Sequence, residues 1–521
     1  MRKIFSIFFL IFLNFFILYA NQKSLDTIKS YDQLIQKINS LLNQKNIQNS
    51  KTSISIYSLK NNKYLYNHNQ NELLVPASVT KLFTTYFALN LLHKDPNLKT
   101  SIYTDAKEIK PILNGNLYIY GRGDALLSLS DLDYLIEKIK SLGIKKITGN
   151  IYADGSFFDG NSSRFSYSGD LDEVEYVPPV TALSINRNSG MVIISAGSVA
   201  GRPASVQIIP ASLGFVVNNN VCVVGAVPSK INRKRKKHSL NDYYDVENIL
   251  YFEQKYGDKR KKSILRKSGI SVTTKLLPNG KQLVNLSGSI SINSNQKYAL
   301  KILNPEMIAA GAFYQRLKDN GIEITGNFSV KKLENFNQAA LLAEFSRDLC
   351  SFISEINKNS DNYLAETLFK IIGATFNNNS NNRTSSIEFY KSFAPKFGID
   401  FNELILNDGS GLSRRNKTTT NAVTKLLISA VHSEFADCFG RSLAIAGVDG
   451  TLRKRFISTH CENNLIAKTG THRNVSALAG YVNSLDGDTL VFAIISNGWA
   501  VGEYKALENA IGEFLSLIFI N

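Results

Sequence analysis

Residues 75–83 read Val-Pro-Ala-Ser-Val-Thr-Lys-Leu-Phe, and the interpretation of the whole chain starts from this stretch. Apolar and aromatic side chains recur after it with the spacing of one buried helix face. Pro76 suits the start of that helix because its missing N–H is not needed there. The sequence therefore predicts Ser78 in the first turn of an apolar helix. Lys81 then lies three positions later, on the same face.

Ser78 and Lys81 form an SxxK pair that has a chemical use. A serine hydroxyl is a weak nucleophile until a neighbouring base takes its proton. A lysine can be that base when burial or a second cation lowers its pKa. The N–H groups at a helix start also suit a developing oxyanion. SxxK recurs at Ser294 and Ser329, where we interpret it as chance, so the alternative for Ser78 is an ordinary helix-terminal serine beside a solvated lysine.

Ser360-Asp361-Asn362 is a second motif, and the triplet SDN occurs once, between two segments with helical periodicity. A structural interpretation is a helix N-cap, for which all three residue types are suitable. The functional interpretation is that Ser360 passes a proton between Ser78 and a leaving group, while Asn362 holds a substrate amide. The triplet alone does not decide between these two.

Lys468-Thr469-Gly470-Thr471 is the third motif, and KTG also occurs once. Three apolar residues precede it, so we expect it to lie on a strand, and its structural interpretation is a polar strand end with a bend. Functionally, Gly470 lets a substrate backbone approach, and Lys468 supplies a positive charge. Thr469 and Thr471 can donate to a terminal carboxylate, and the Thr471 N–H can serve as a second oxyanion donor.

The rest of the chain alternates between helical and strand-like patterns. Residues 52–69 predict a β-hairpin with an Asn-rich turn, and Asp486-Gly487 predicts another between strands at 476–484 and 489–497. Short strand-like runs and turn glycines dominate from about 93 to 295. From about 296 the pattern is helical again, with predicted helices at 307–320, 344–357, 363–376, 386–394 and 504–518.

Charge and the N-terminus indicate the compartment and the partners. The 521 residues are 44% hydrophobic and 20% charged, which excludes wholly disordered and fibrous classes. The 60 basic and 43 acidic residues leave a net charge of +17, which favours an anionic partner. Arg2 and Lys3, the apolar run 4–18 and Ala20 are typical of a signal peptide over residues 1–20. We therefore expect export to the periplasm or cell envelope, and no nucleic-acid partner; cleavage or retention of the leader stays open.

Cysteine and histidine spacing gives no support to a metal site. The four cysteines form no CxxC pair, and the six histidines form no HExxH pattern. We therefore expect neither a metal nor a cofactor. Cys438 and Cys461 are close enough in sequence to bridge, but other pairings, or buried free thiols, remain open.

The three motifs in the order SxxK, SDN, KTG resemble the signature of the penicillin-binding protein and serine β-lactamase superfamily. The resemblance implies an α/β (α+β) fold with an antiparallel sheet flanked by helices, interrupted by a large β-rich insertion. The implied parts are a transpeptidase-like catalytic domain at 21–92 plus 296–521 and an inserted β-rich region at 93–295. A basic sub-insertion at about 230–267 matches no motif of the family.

The long separation between Ser78 and Ser360 resembles the class C low-molecular-mass penicillin-binding proteins, which are D-alanyl-D-alanine carboxypeptidases and endopeptidases. Residues 407–414 (NDGSGLSR), 446–452 (AGVDGTL) and 149–154 (GNIYAD) are similar to further stretches of that family. The resemblance implies a serine D,D-carboxypeptidase or endopeptidase acting on peptidoglycan stem peptides through an acyl-enzyme, with β-lactams as inhibitors.

The resemblance also implies roles for individual residues. Ser78, Lys81 and Ser360 are the expected catalytic residues, and the expected substrate-binding residues are Asn362, Lys468, Thr469, Thr471, Asp154 and Arg414. Asp154 and Arg414 are expected to bind the polar end of the stem peptide's third residue; their alternatives are a turn aspartate and a structural arginine.

Two other functions remain open. A serine β-lactamase would use the same acylation and a dedicated glutamate for deacylation, and Glu403 begins an ExxLN pattern typical of such a residue. We interpret that match as chance. A non-catalytic protein could instead bind the cell wall, an anionic envelope polymer or a membrane surface through the basic stretch 230–267.

Overall fold

A computed structural model describes residues 27–171, 175–225, 269–377 and 381–520. The predicted signal peptide and the basic stretch 230–267 lie outside these ranges. The α-helices are α1 (Tyr31–Leu42), α2 (Thr80–Leu91), α3 (Leu129–Ser141), α4 (Arg164–Ser168), α5 (Pro305–Asp319), α6 (Leu349–Asn359), α7 (Asn362–Phe376), α8 (Asn382–Phe393), α9 (Thr420–Val431), α10 (Ala436–Ser442) and α11 (Val501–Ser516).

The strands are β1 (Lys51–Ser58), β2 (Lys63–His68), β3 (Asn97–Thr104), β4 (Ile112–Leu113), β5 (Leu117–Gly121), β6 (Lys146–Ile147), β7 (Ile151–Asp154), β8 (Ser189–Ser195), β9 (Ser205–Ile209), β10 (Phe215–Val224), β11 (Ser271–Leu276), β12 (Gln282–Ser291), β13 (Asn295–Lys301), β14 (Glu323–Ile324), β15 (Phe328–Val330), β16 (Ala340–Asp348), β17 (Leu404–Ile405), β18 (Lys417–Thr418), β19 (Ala444–Ile445), β20 (Ile466–His472), β21 (Val475–Asn483) and β22 (Thr489–Asn497).

A six-stranded antiparallel sheet carries the KTG motif, with the strand order β19-β20-β21-β22-β1-β2. Its central strands are buried on both faces because helices cover both sides. One face packs against α2, α7 and α9, and the other against α1 and α11. The predicted hairpins are confirmed: Asn62 and Gly487 occupy left-handed conformations in their turns, with φ of 50° and 77°.

The inserted region contains several smaller sheets. A five-stranded sheet, β15-β7-β5-β3-β16, packs against α3 and α5. Two three-stranded sheets, β10-β12-β11 and β13-β8-β9, enclose a separate apolar core. The short strands β14-β6-β4 form a further three-stranded sheet. Within the described part of residues 93–295, the chain contains strands β3 to β12 and helices α3 and α4.

The predicted boundary at residue 296 does not agree with the strand pairing. Strand β13 pairs with β8, β15 with β7, and β16 with β3. Residues up to Asp348 therefore pack with the inserted region. The predicted helix at 344–357 is wrong at its start, because residues 344–348 complete β16. Helix α6 begins at Leu349, where the Asp348 side chain caps it by accepting a hydrogen bond from the Ser351 N–H at 2.8 Å. Tertiary pairing with β3 has overridden the local helical pattern.

One disulfide joins helices α6 and α10. Cys350 on α6 is bonded to Cys438 on α10, 88 positions later. The Cys438–Cys461 pairing considered from sequence is therefore wrong, and Cys461 is a buried free thiol. No helix within the described ranges is long and apolar enough to cross a membrane.

Candidate active site

The SxxK motif lies at the entry to α2. Ser78 is part of a 3-10 turn, Ala77–Val79, that leads directly into the α-helix at Thr80. Ala77 has a φ of 48°, a left-handed conformation that is costly for a residue with a Cβ. The Thr80 hydroxyl donates to the Ala77 carbonyl at 2.9 Å and stabilises the turn. This arrangement leaves Ser78 partly exposed while its neighbours Ala77 and Val79 are buried.

The Lys81 side chain is fully buried beneath the nucleophile candidate. Its Nζ lies 2.9 Å from Ser78 Oγ, 2.6 Å from Asn362 Oδ1 and 2.6 Å from the Ser410 carbonyl oxygen. SxxK, SDN and the predicted DGSGLSR stretch thus meet at one nitrogen. Asn362 Oδ1 and the Ser410 carbonyl oxygen both accept from the amine, and these two bonds hold it beside Ser78.

The SDN motif links α6 to α7. Ser360 has a left-handed φ of 55° and ends α6. Asp361 caps α7 by accepting from the Leu364 N–H at 3.0 Å, and Asn362 is the first residue of α7. The N-cap interpretation is correct for Asp361, yet it coexists with the site, since the cap turns Asn362 toward Lys81.

The KTG motif lies on β20, as expected, next to the SxxK turn. A Cβ on Gly470 would come within 2.6 Å of the Pro76 carbonyl oxygen, so the strand approaches this closely because residue 470 is glycine. Lys468 is fully buried and donates to the carbonyl of its neighbour Thr469 at 2.9 Å. The Thr469 hydroxyl donates to the Thr451 hydroxyl at 2.8 Å, whereas Thr471 is exposed.

The DGSGLSR loop, residues 408–414, lies between the SxxK turn and the KTG strand. Asp408 accepts hydrogen bonds from the N–H groups of Gly411 and Ser413, at 2.9 and 2.7 Å. A Cβ on Gly411, whose φ is +82°, would overlap the Ala77 carbonyl. His472 Nε2, on the KTG strand, donates to the Gly411 carbonyl at 2.8 Å. Burial lowers the pKa of His472, which favours the neutral imidazole.

Glu366 supports this loop from beneath, and the motifs did not reveal it. It lies on α7 and accepts from the N–H groups of Ser410 at 2.8 Å and Gly409 at 3.4 Å. Burial, followed by the nearby Asp408 carboxylate, raises the pKa of Glu366 to about 8. One signal was available: Glu366 is four positions after Asn362, on the same face of a helix whose other residues are mostly apolar.

Two charged residues of the inserted region reach the SDN motif. The Asn362 side-chain Nδ2 donates to Glu175 Oε2 at 2.7 Å. Arg187 lies 3.4 Å from the buried Asp361 carboxylate and 3.2 Å from Glu355. Asn186, Arg187 and Asn188 all have left-handed φ values, of 53°, 56° and 50°. Neither Glu175 nor Arg187 was predicted. No local sequence pattern connects them to the SDN motif, which lies more than 170 positions later in the chain.

The predicted specificity residues have different outcomes. Asp154 is 1% exposed, and its two oxygens accept from the N–H groups of Ser156 and Leu333 at 2.8 Å each. These contacts are those of the turn aspartate, which was the alternative interpretation, and substrate binding by Asp154 stays a prediction. Arg414 is exposed and donates to Asn474 Oδ1 at 2.6 Å, in the turn after β20. It thus lies at the rim of the KTG strand.

Glu403 has a structural environment. It is held by Lys425 at 3.0 Å and by the Asn421 amide at 2.7 Å, and its carboxylate accepts from the Asp400 N–H as part of a capping box. These contacts account for the ExxLN glutamate without a catalytic role. Within the described ranges, no group of three His, Cys, Asp or Glu side chains is arranged to hold a metal ion.

Known proteins align with this chain along most of its length. The chain is 28% identical over 495 residues to the D-alanyl-D-alanine carboxypeptidase of Actinomadura sp., an alignment that covers 92% of this chain and 84% of that protein. It is 25% identical over 468 residues to the D-alanyl-D-alanine carboxypeptidase DacB of Haemophilus influenzae, covering 89% of each.

The fold is that of a solved penicillin-binding protein. The crystal structure of penicillin binding protein 4 from Haemophilus influenzae superposes with a TM-score of 0.67 at 22% identity, covering 91% of this chain and 99% of that chain. The same protein complexed with a β-lactam gives a TM-score of 0.65 at 23% identity, covering 92% and 99%. The predicted fold class is confirmed.

The family model for D-Ala-D-Ala carboxypeptidase 3 (S13) matches residues 34–249 and 260–517, which is most of the chain. The predicted resemblance to the low-molecular-mass penicillin-binding proteins is therefore confirmed. The chain belongs to the D-Ala-D-Ala carboxypeptidase 3 (S13) family of serine-type carboxypeptidases.

Proposed function

We propose that Ser78 is the nucleophile through which this chain acts as a serine D,D-carboxypeptidase and endopeptidase on peptidoglycan peptides. The observation that carries the proposal is the 2.9 Å separation between Lys81 Nζ and Ser78 Oγ, together with Asn362 Oδ1 and the Ser410 carbonyl oxygen as acceptors for N–H groups of the amine. A neutral amine has two N–H groups and one lone pair. With the N–H groups on Asn362 and Ser410, the lone pair is directed at Ser78.

Acylation follows from this arrangement. The Ser78 hydroxyl gives its proton to Lys81 as its oxygen attacks the carbonyl of the penultimate D-Ala. The backbone N–H groups of Ser78 and Thr471 hold the oxyanion. Ser360 relays the proton from Lys81 to the leaving amine, which departs as D-Ala or as the amine of a cross-link. Water then hydrolyses the ester, returning Ser78 and releasing the shortened peptide.

The substrate is held on the KTG side of the nucleophile. Lys468 supplies positive charge for the terminal carboxylate, and the hydroxyl groups of Thr469 and Thr471 take part in its binding. The Asn362 side chain helps to hold an amide group of the substrate. Arg414, exposed at the rim, is proposed to bind the polar end of the stem peptide's third residue.

Labelled benzylpenicillin tests the nucleophile, because a β-lactam carries a strained amide in place of the D-Ala-D-Ala bond. Tandem mass spectrometry should find the adduct on Ser78, and Ser78→Ala should abolish it. Ser294→Ala is the matched control, since Ser294 begins a chance SxxK. An adduct on another residue would refute the assignment. Mass spectrometry of cross-linked and uncross-linked muropeptides then measures endopeptidase against carboxypeptidase activity.

We further propose export of the chain to the periplasm or cell envelope and association of the basic stretch 230–267 with an anionic envelope polymer. The support is the N-terminal pattern of Arg2, Lys3 and the apolar run 4–18, and the clustered lysines and arginines of the stretch. Cell fractionation tests export. Deletion of 230–267 should abolish salt-sensitive binding to purified wall polymer while penicillin acylation continues; unchanged binding contradicts the second proposal.

A further inference from the structure

Three consecutive hydrogen-bonding contacts connect the inserted region to the nucleophile. Glu175 Oε2 accepts from Asn362 Nδ2 at 2.7 Å, and Asn362 Oδ1 lies 2.6 Å from Lys81 Nζ. Lys81 Nζ in turn lies 2.9 Å from Ser78 Oγ. The inserted region thus contacts the opposite end of the same amide that holds the lysine.

An asparagine amide has two orientations of almost the same shape but opposite chemistry. With Oδ1 toward Lys81, the amide accepts from the amine. With the amide reversed, Nδ2 would face Lys81 and donate to the lone pair of the neutral amine. That lone pair is the one that must receive the Ser78 proton. A reversed Asn362 would therefore compete directly with the nucleophile for its base.

Glu175 discriminates between the two orientations. An ionised carboxylate only accepts hydrogen bonds, so it favours Nδ2 on its own side and repels Oδ1. The favoured orientation places Oδ1 at Lys81. The discrimination comes from outside the three motifs, since Glu175 lies between α4 and β8 in the inserted region.

We propose that Glu175 is a positioning residue that locks the Asn362 amide and so keeps the Lys81 lone pair on Ser78. The inference rests on the proposed function of Ser78 and Lys81. Without Glu175, both orientations of the Asn362 amide become accessible, and in a fraction of the enzyme the Lys81 lone pair is not available to Ser78. The inserted region therefore has a part in catalysis.

Acylation rates of Glu175 variants with benzylpenicillin test the inference. Glu175→Ala should acylate Ser78 about twofold more slowly than wild type when the two amide orientations become equally populated, and more slowly still when the reversed orientation is preferred. Glu175→Gln should acylate about as slowly as Glu175→Ala, because the glutamine amide can also donate and therefore no longer excludes the reversed Asn362 orientation. Glu344→Ala is the matched control: Glu344 is also partly buried in this region, bonded to Ser101 and Lys99, and should leave the rate unchanged.

A double-mutant cycle in urea unfolding supplies a readout that does not depend on activity. Glu175→Ala and Asn362→Ala should shift the urea midpoint non-additively, because the second substitution removes a bond already lost. Additive shifts, a wild-type acylation rate in Glu175→Ala, or a Gln variant as fast as wild type would each overturn the inference. Absence of any Ser78 adduct in wild type would refute the proposed function, while the cycle would still decide on Glu175.

Discussion

Glu366 Oε1 accepts a hydrogen bond from the Ser410 N–H at 2.8 Å, and the carbonyl of the same Ser410 accepts one from Lys81 at 2.6 Å. A fully buried carboxyl group on α7 therefore holds the residue that orients the lysine. The relationship has a measurable consequence, because burial has raised the pKa of Glu366 to about 8.

We predict that Glu366→Gln flattens the pH dependence of stability. Glu366 stays protonated when folded but ionises near its ordinary value when unfolded, so the folded state binds more protons between these two pKa values. Its contribution is fully present below about pH 4 and is lost as pH rises toward about 8, by up to about 1.4 kcal/mol per pH unit. The glutamine variant removes this dependence.

Urea unfolding from pH 4 to 9 checks this prediction. The free energy of unfolding of Glu366→Gln, relative to that of wild type, should increase as pH rises, because only wild type loses the contribution of the protonated Glu366. Glu388→Gln is the control, because Glu388 is exposed on α8 and its substitution should run parallel to wild type. Parallel curves for Glu366→Gln would contradict a raised pKa at this position.

Gly470→Ala should separate the KTG strand from the SxxK turn. The new Cβ would lie 2.6 Å from the Pro76 carbonyl oxygen, so one backbone has to move. A displacement near 1 Å at the reacting centre can slow acylation about 100-fold. In Gly502→Ala the new Cβ meets open space in α11, so penicillin acylation should stay at the wild-type rate. Equal acylation in both variants would argue against the close approach.

Lys468→Ala should distinguish carboxylate binding from tuning of Lys81. Removal of a charge-assisted bond to the terminal carboxylate predicts a roughly 10- to 150-fold loss of kcat/KM on free-acid substrates. The loss on the matching C-terminal amides should be far smaller. Measurement of kcat/KM for one acid and amide pair in both proteins decides the matter. Equal losses on the two substrates would refute carboxylate binding as the main role.

The Cys350–Cys438 bridge should contribute substantially to stability. It closes a loop of 88 positions, for which loop-closure entropy predicts about 4–5 kcal/mol. The double variant Cys350→Ser, Cys438→Ser should lose that amount in urea unfolding under oxidising conditions. Cys222→Ser, at an exposed thiol, is the control and should have no effect. A double variant as stable as the control would show that the bridge does not contribute.

The sequence was informative wherever the relevant interaction is local. Spacing of three residues on a helix was enough to bring Ser78 and Lys81 together, because the helical period sets which side chains share a face. Alternating residues and turn residues were enough to predict the hairpins of the six-stranded sheet. The order of the three motifs then indicated the family, since each motif alone is short enough to recur by chance.

Tertiary structure decided what depends on contacts between distant segments. Residues up to Asp348 belong with the inserted region because β16 pairs with β3. Asp154 accepts hydrogen bonds from the backbone N–H groups of Ser156 and Leu333. Glu175 and Glu366 contact the site only because separate elements pack there. Such partners leave no periodic pattern in the sequence, since a hydrogen bond between segments 187 positions apart, as for Glu175 and Asn362, depends on the packing of the whole fold.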